Sequence, residues 1–275
     1  MKLSRLIPLL SLILFSLLVA VSCNPRQLSS TTPQSISLTI SAAASLQDAL
    51  TDLQSVYAQQ QPDVSLTYNF GSSGALLQQI EQGAPVDVFV SAAAKQMDAL
   101  QTKGLLLTDT RKNLLTNQIA LIVSQQSTAK TFQDLTHDGI KTVAIGNPAS
   151  VPAGQYGEEV LATLGVLERV KPKLVLAKDV RQVLSYVETG NADAGLVYIT
   201  DAKLSPEVKV AALAPKGSHS PIVYPVAVLK DSKNIEAAKA FVQFLATARS
   251  KAVFQQYGFT VPADSQSTNR QPASS

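Results

Sequence analysis

The chain has 275 residues, 45% of them hydrophobic and 16% charged, a globular balance that suits one large domain or two modest ones. Its 23 basic and 20 acidic residues leave a small positive excess, which argues against a nucleic-acid binder.

In chain order, the first predicted element is an export signal over residues 1–22. Lys2 and Arg5 form a short basic region, and Leu6 to Val21 is an almost unbroken apolar run. Pro8 and Ser11 interrupt that run, and it is short for a membrane span. Removing the signal takes away Lys2 and Arg5 and leaves 21 basic against 20 acidic residues, close to neutral. The run ends in "AVSC", where Cys23 is the sole cysteine and so has no internal disulfide partner. This arrangement resembles a bacterial lipobox, which implies that Cys23 is acylated and holds the protein at a membrane surface. The alternative is an ordinary signal cleaved nearby. Either way the expected location is outside the cytoplasm, periplasmic or at the cell surface. Residues 23–35, rich in Pro, Ser, Thr and Gln, read as a flexible tether, and residues 263–275, "ADSQSTNRQPASS", as a disordered tail.

Between these segments, from Ile36 to Pro262, strand-like and helix-like stretches alternate. "SLTIS" reads as a strand, followed by Leu46, Ala49, Leu50, Leu53, Val56 and Tyr57 at helical spacing. "VSLTYNF" is a second strand, and Leu76, Leu77 and Ile80 mark a helix ended by Gly83. "VDVFVS" precedes a short helix around Met97. "QIALIVS", "TVAI", "LVLA" and "AGLVYI" are further strands, with helices at about Gly154–Leu164 and Val180–Thr189. "PIVYPVAVL" is a long strand, and helices near Ile235–Ala246 and Arg249–Tyr257 complete the domain. Such alternation indicates an α/β protein with mostly parallel sheets flanked by helices, which bind ligands where strands end and helices begin.

Four of these junctions share one chemistry. Ser45 follows the first strand, "GSSG" sets Ser72 and Ser73 before the second helix, "VPAG" places Ala153 and Gly154 at the third, and Asp179–Val180 opens the fourth. A helix N-terminus offers unpaired N–H groups and the positive end of a dipole, an anion site in outline. Any one junction is explained by capping alone, with Ser45 and Asp179 read as caps. Convergence is what would make a site. Tyr198, ending "AGLVY", is either a phenol donor or a core tyrosine, and Lys178 and Arg181 read as a solvated pair outside the turn. An anion here is therefore expected to be held by neutral dipoles. Hydrogen bonds to a charged group contribute about 1.5–3 kcal/mol each, so roughly five to seven exceed the ~8 kcal/mol of micromolar binding.

The stretches "ISAAASLQDAL", "FGSSGALLQQIEQGAPVDVFVSA", "VPAGQYGEEVL", "DVRQVLSYVETGNADAGLVY" and "YPVAV" resemble the molybdate-binding proteins of bacterial molybdenum ABC transporters. The resemblance runs from about Ile36 to Val261. It implies a two-lobed periplasmic-binding-protein fold, type II-like, closing on a tetrahedral oxyanion in the cleft between lobes. Lobe I would comprise residues 36–117 and 224–262, and lobe II residues 118–223, hinged near Asn117 and Tyr224. Carried over residue by residue, the oxyanion contacts are Ser45, Ser73, Ala153, Val180 and Tyr198, with Ala153 and Val180 acting through backbone N–H groups. The implied function is capture of molybdate, with tungstate, for delivery to the membrane permease of an ABC transporter. No cofactor, catalytic residue or protein-held metal is implied, molybdenum entering only as the oxyanion, and a monomer is expected. Sulfate and phosphate are the runner-up ligands. The reading from another class is a serine hydrolase: "STAK", Ser127 to Lys130, has serine–lysine spacing but lacks an accompanying "SDN" or "KTG".

Overall fold

The computed structural model describes residues 35–262. The export signal, Cys23, the tether to residue 34 and the tail from residue 263 lie outside the described residues.

The chain opens with β1 (Ile36–Ala43), a one-turn 3₁₀ segment (Ala44–Leu46), α1 (Gln47–Gln60), β2 (Val64–Gly71), α2 (Ser73–Glu81), β3 (Val88–Val90), α3 (Ala94–Thr102) and β4 (Leu106–Thr116). It continues with β5 (Ile119–Ser124), β6 (Val143–Gly146), α4 (Pro152–Thr163), α5 (Leu167–Val170), β7 (Leu174–Ala177), α6 (Val180–Glu188), β8 (Ala194–Tyr198), α7 (Ile199–Ala202) and β9 (Val208–Leu213). It returns through β10 (Val223–Leu229), α8 (Ile235–Leu245) and α9 (Ala248–Gln256).

These strands form two 5-stranded sheets, ordered β2-β1-β3-β10-β4 and β7-β6-β8-β5-β9. The chain crosses between sheets twice, from β4 into β5 and from β9 into β10. Each sheet is mixed where the alternation suggested mostly parallel pairing. β1 pairs in parallel with β2 and β3, while β10 is antiparallel to β3 and β4. In the second sheet β6 is parallel to β7 and β8, and β5 is antiparallel to β8 and β9. The cause lies in the crossings: β5 and β10 leave the inter-sheet region, so they run opposite to strands that arrive there. β4 and β9 were absent from the sequence reading. In β4 the side chains of Thr108, Asp109, Lys112 and Asn113 are exposed, so one face is polar and the apolar signal is diluted.

The helices form because their apolar spacing matches the sheets they cover. α1 buries Ala49, Leu50, Leu53 and Tyr57 on one stripe. Tyr57 meets Phe241 edge-on at 5.2 Å and Phe244 at 4.9 Å, which locks α8 beside α1. α6 buries Val183, Leu184 and Val187 in the second lobe and ends before Gly190, whose φ of 72° suits a glycine. Each buried Leu or Val contributes about 1.5–3 kcal/mol relative to exposure. Both sheets are thus firmly packed against the helices that cover them.

Candidate anion site between the lobes

The residues that end β1 are Ala42 and Ala43, and Ala44 follows, so nothing bulky stands between the strand end and the opposite lobe. Ser45 sits in the 3₁₀ turn. It does not cap α1 as expected: the N-cap is Leu46, with no side-chain cap bond, and Ser45 Oγ instead lies 3.0 Å from Tyr224 Oη. At the second junction Ser72 is the cap, accepting from Ala75 N–H, which leaves Ser73 at the first helical position. Ser73 Oγ accepts from Ala92 N–H at 2.9 Å. Its own proton is therefore free for another acceptor.

The second lobe supplies matching parts. Pro152 starts α4 with φ preset for a helix and no N–H to satisfy, and Ala153 follows. Gly154 lets this turn sit against β6, because a Cβ there would stand 1.8 Å from the Gly146 carbonyl oxygen. Asp179 caps α6, its Oδ1 accepting from Gln182 N–H at 2.9 Å, and Val180 opens the helix. Asp179 is thus occupied as a structural cap, in agreement with the sequence reading. Ala153 and Val180 hold first-turn positions, whose N–H groups have no intrahelical acceptor.

All five expected contact residues, Ser45, Ser73, Ala153, Val180 and Tyr198, line one cavity with about 210 Å³ of empty space. The rest of the lining is Ala43, Ala44, Gly71, Ser72, Ala92, Val151 and Pro152, small or apolar throughout. The five are between 0% and 4% exposed. The cavity's free space, in which the centre of a water-sized body could sit, is only about 10 Å³, against about 300–1,000 Å³ for typical organic-ligand sites, so the walls stand close together and suit at most a small ion. The lobes meet directly beside it, where Gly74 N–H donates to the Ser150 carbonyl at 2.9 Å. A Cβ on Gly74 would come within 2.5 Å of that oxygen, so only glycine permits this approach.

The cavity is lined by donors. Tyr198 Oη is buried and has no hydrogen-bond partner. Burial first, then the neighbouring Tyr224 and Tyr156 phenols, raise its pKa well above the usual value, so it remains a neutral O–H. An orphaned buried hydroxyl costs about 1–3 kcal/mol, a cost relieved by any acceptor placed in the cavity.

Arg181, one residue beyond Val180, departs from the solvated pair expected with Lys178. Lys178 is exposed. Arg181 Nη2 instead bonds Asp48 Oδ2 in the first turn of α1, across the lobes. Its Nε lies 2.9 Å from Asp201 Oδ1, a charge contact without hydrogen-bond alignment. Asp201 is wholly buried. Burial raises its pKa to about 7, against the opposing pull of Arg181. The guanidinium is thereby occupied by two carboxylates rather than presented to the cavity. Asp48 and Asp201 stand 133 and 20 residues from it in sequence, which is why this pairing was not legible.

Tyr224 and Asn117 also escaped the sequence reading as site residues. Tyr224 lies within the quoted "YPVAV", which was the available signal. A wider depression of about 1060 Å³ lies elsewhere on the second lobe, lined partly by Asp134, His137 and Asp193. Both carboxylates there already accept backbone N–H groups, so it is no donor site for an anion. In the "STAK" segment, Ser127 Oγ accepts from Ala129 N–H and Lys130 is exposed on a loop. Among the described residues, no group of three or more His, Cys, Asp or Glu could hold a metal ion.

Comparison with known proteins bears on the whole of this domain. The family described as bacterial extracellular solute-binding protein matches residues 38–260. The chain is 43% identical to the putative ABC transporter substrate-binding lipoprotein YvgL of Bacillus subtilis, over 90% of this chain and 95% of the relative. It is 40% identical to the molybdate-binding protein ModA of Haemophilus influenzae, over 82% of this chain and 91% of that protein. Among solved structures it is similar to the substrate-binding domain of a putative molybdenum ABC transporter from Clostridium difficile, at 45% identity and a TM-score of 0.66, covering 83% of this chain and 100% of that one.

Proposed function

The chain belongs to the bacterial extracellular solute-binding protein family, and on that premise we propose that its cleft captures molybdate, with tungstate, for delivery to an ABC permease. The observation that carries this reading is the set of donors around one small cavity: Tyr198 Oη without a partner, Ser73 Oγ already accepting from Ala92, and the first-turn N–H groups of Ala153 and Val180. A tetrahedral dianion supplies acceptors in every direction and requires no acceptor in return. Hydrogen phosphate carries a proton, and with Asp179 occupied by Gln182 the lining offers that proton no carboxylate. Sulfate shares the charge and shape of molybdate but is smaller, so it should contact fewer donors at once.

The ligand would bridge lobe I, residues 36–117 and 224–262, and lobe II, residues 118–223, through Ser45 and Ser73 on one side and Ala153, Val180 and Tyr198 on the other. The two crossings would serve as the hinge. The protein is a carrier with no chemistry of its own, acting as a monomer. Acylation of Cys23 would tether it to the membrane beside its permease, a reading supported by the lipoprotein name of the Bacillus relative. Cys23→Ser should then release the protein from the membrane fraction, and unchanged partition would contradict the anchor. The binding test is calorimetry with molybdate, tungstate, sulfate and phosphate. Molybdate and tungstate should bind at least tenfold more tightly than the others, and equal affinity for sulfate would overturn the assignment.

A further inference from the structure

The two crossings carry a hydrogen-bond chain that ends on a cleft serine. Asn117 Oδ1 accepts from Gln118 N–H at 2.9 Å. This fixes the amide, because the flipped orientation would set two donors against each other. Its Nδ2 then presents one hydrogen to Thr200 Oγ1 at 3.0 Å and the other to Tyr224 Oη at 3.2 Å. Tyr224 is wholly buried, and burial raises its pKa well above the usual range, so the phenol keeps its proton. That oxygen already receives the Asn117 N–H. Its remaining partner is Ser45 Oγ, at 3.0 Å. If Ser45 donated to Tyr224, the phenolic hydrogen would have only the neighbouring Tyr198 Oη to turn to, which has no well-aligned hydrogen-bond partner, the costlier arrangement. The proton therefore runs from Tyr224 to Ser45, and the hydrogen of Ser45 is left for the cavity.

We propose that Asn117 and Tyr224 are positioning residues that set the polarity of Ser45, holding it as a donor toward the cleft and so selecting oxyanions that carry no proton. The proposal deepens the oxyanion reading and rests on it. Asn117 directly follows β4 at the start of the first crossing, and Tyr224 is the second residue of β10, just past the second, so the same contacts tie the serine to the two crossings proposed as the hinge. Through Thr200, which directly follows α7's first residue, the chain also reaches the second lobe.

The test is a double-mutant cycle on the full chain with Ser45→Ala and Tyr224→Phe, titrated with molybdate and with phosphate. Ser45→Ala should weaken molybdate about tenfold, Tyr224→Phe about three- to tenfold, and the pair no more than Ser45→Ala alone. Tyr224→Phe should also narrow the ratio of molybdate to phosphate affinity, because a serine released from Tyr224 can turn its lone pairs to the ligand. Independent, additive losses with an unchanged ratio would overturn the proposal, since a packing role for the ring predicts them. Melting curves of the ligand-free variants confirm that each is folded. Neutron diffraction of the ligand-free protein reads the polarity directly: deuterium on Tyr224 Oη aimed at Ser45 is expected, and deuterium on Ser45 aimed at Tyr224 overturns it. If the wild-type chain bound neither anion, the oxyanion reading would fail while the neutron map still decided the hydrogen-bond direction.

Discussion

Val180 and Arg181 are consecutive residues in the first turn of α6, yet they belong to two electrostatically opposite regions. The cavity on the Val180 side is lined by neutral donors, one of them the unpartnered Tyr198 hydroxyl. On the Arg181 side a guanidinium is held between Asp48 of the first lobe and the buried Asp201. An obvious way to bind an anion is to aim the arginine at it. Here the arginine is instead engaged by carboxylates, and on the proposed reading the anion is left to dipoles. A fixed cation attracts any anion of similar size, and it must be desolvated whether or not ligand is bound. Donors of fixed direction distinguish ligands by the number of acceptors they present, which is specificity by geometry rather than by charge.

The comparison can be broken most severely at the charged region. Arg181→Gln leaves Asp201 buried without its counter-charge and should cost about 3–5 kcal/mol of stability, read by chemical denaturation. Adding Asp201→Asn should recover most of that loss. No recovery in the double variant would show that Arg181 acts through packing instead.

Tyr198→Phe should have the opposite signature. Molybdate binding should weaken by about 1–3 kcal/mol in calorimetry, while ligand-free stability stays level or rises, because the lost hydroxyl had no partner. A clear fall in ligand-free melting temperature would mean that this hydroxyl has a structural acceptor.

A smaller effect follows from titration. The carboxyl of Asp201 has its pKa raised to about 7 in the folded protein, against an ordinary value of 3.8. A raised folded pKa gives stability that is complete at acid pH, below the unfolded value, and lost as pH rises through about 7. The difference in melting temperature between wild type and Asp201→Asn should therefore change across this window, wild type losing ground as pH rises. A constant difference would contradict the shifted titration. Smallest of all should be Asp48→Asn. The Asp48 carboxylate is 41% exposed, so its ion pair should be worth no more than about 1 kcal/mol, and less in high salt. Stopped-flow release of molybdate should quicken only a few-fold.

The two regions also differ in how far the sequence revealed them. The cavity was readable because small residues at helix starts have a local cause: "SAAAS" and "GSSG" place donors at N-termini through neighbours within one turn. The identity of the cap was not readable, since Ser45 is drawn away from its helix by Tyr224, 179 residues distant. Arg181 failed in the same way, its partner Asp48 lying 133 residues earlier. The strands with continuous apolar runs were legible, and β4 was not, because its pairing with β10 rather than its own composition makes it a strand. Local chemistry reads from sequence, and polarity set across the lobes does not.

The central claim is that the cavity at Ser73 holds a dianion by donors alone, and it is tested most directly by placing a negative charge there. Wild type, Ser73→Ala and Ser73→Asp are melted with and without molybdate. Alanine removes one hydroxyl donor and should reduce the ligand-induced rise in melting temperature by an amount that reflects about 1–3 kcal/mol. Aspartate can still accept the Ala92 N–H, as Ser73 does at 2.9 Å, but it sets a carboxylate against the ligand, a repulsion of several kcal/mol even at an effective dielectric of about 20. The rise should vanish for the aspartate variant and persist, reduced, for the alanine variant. A wild-type rise in the aspartate variant would contradict the account.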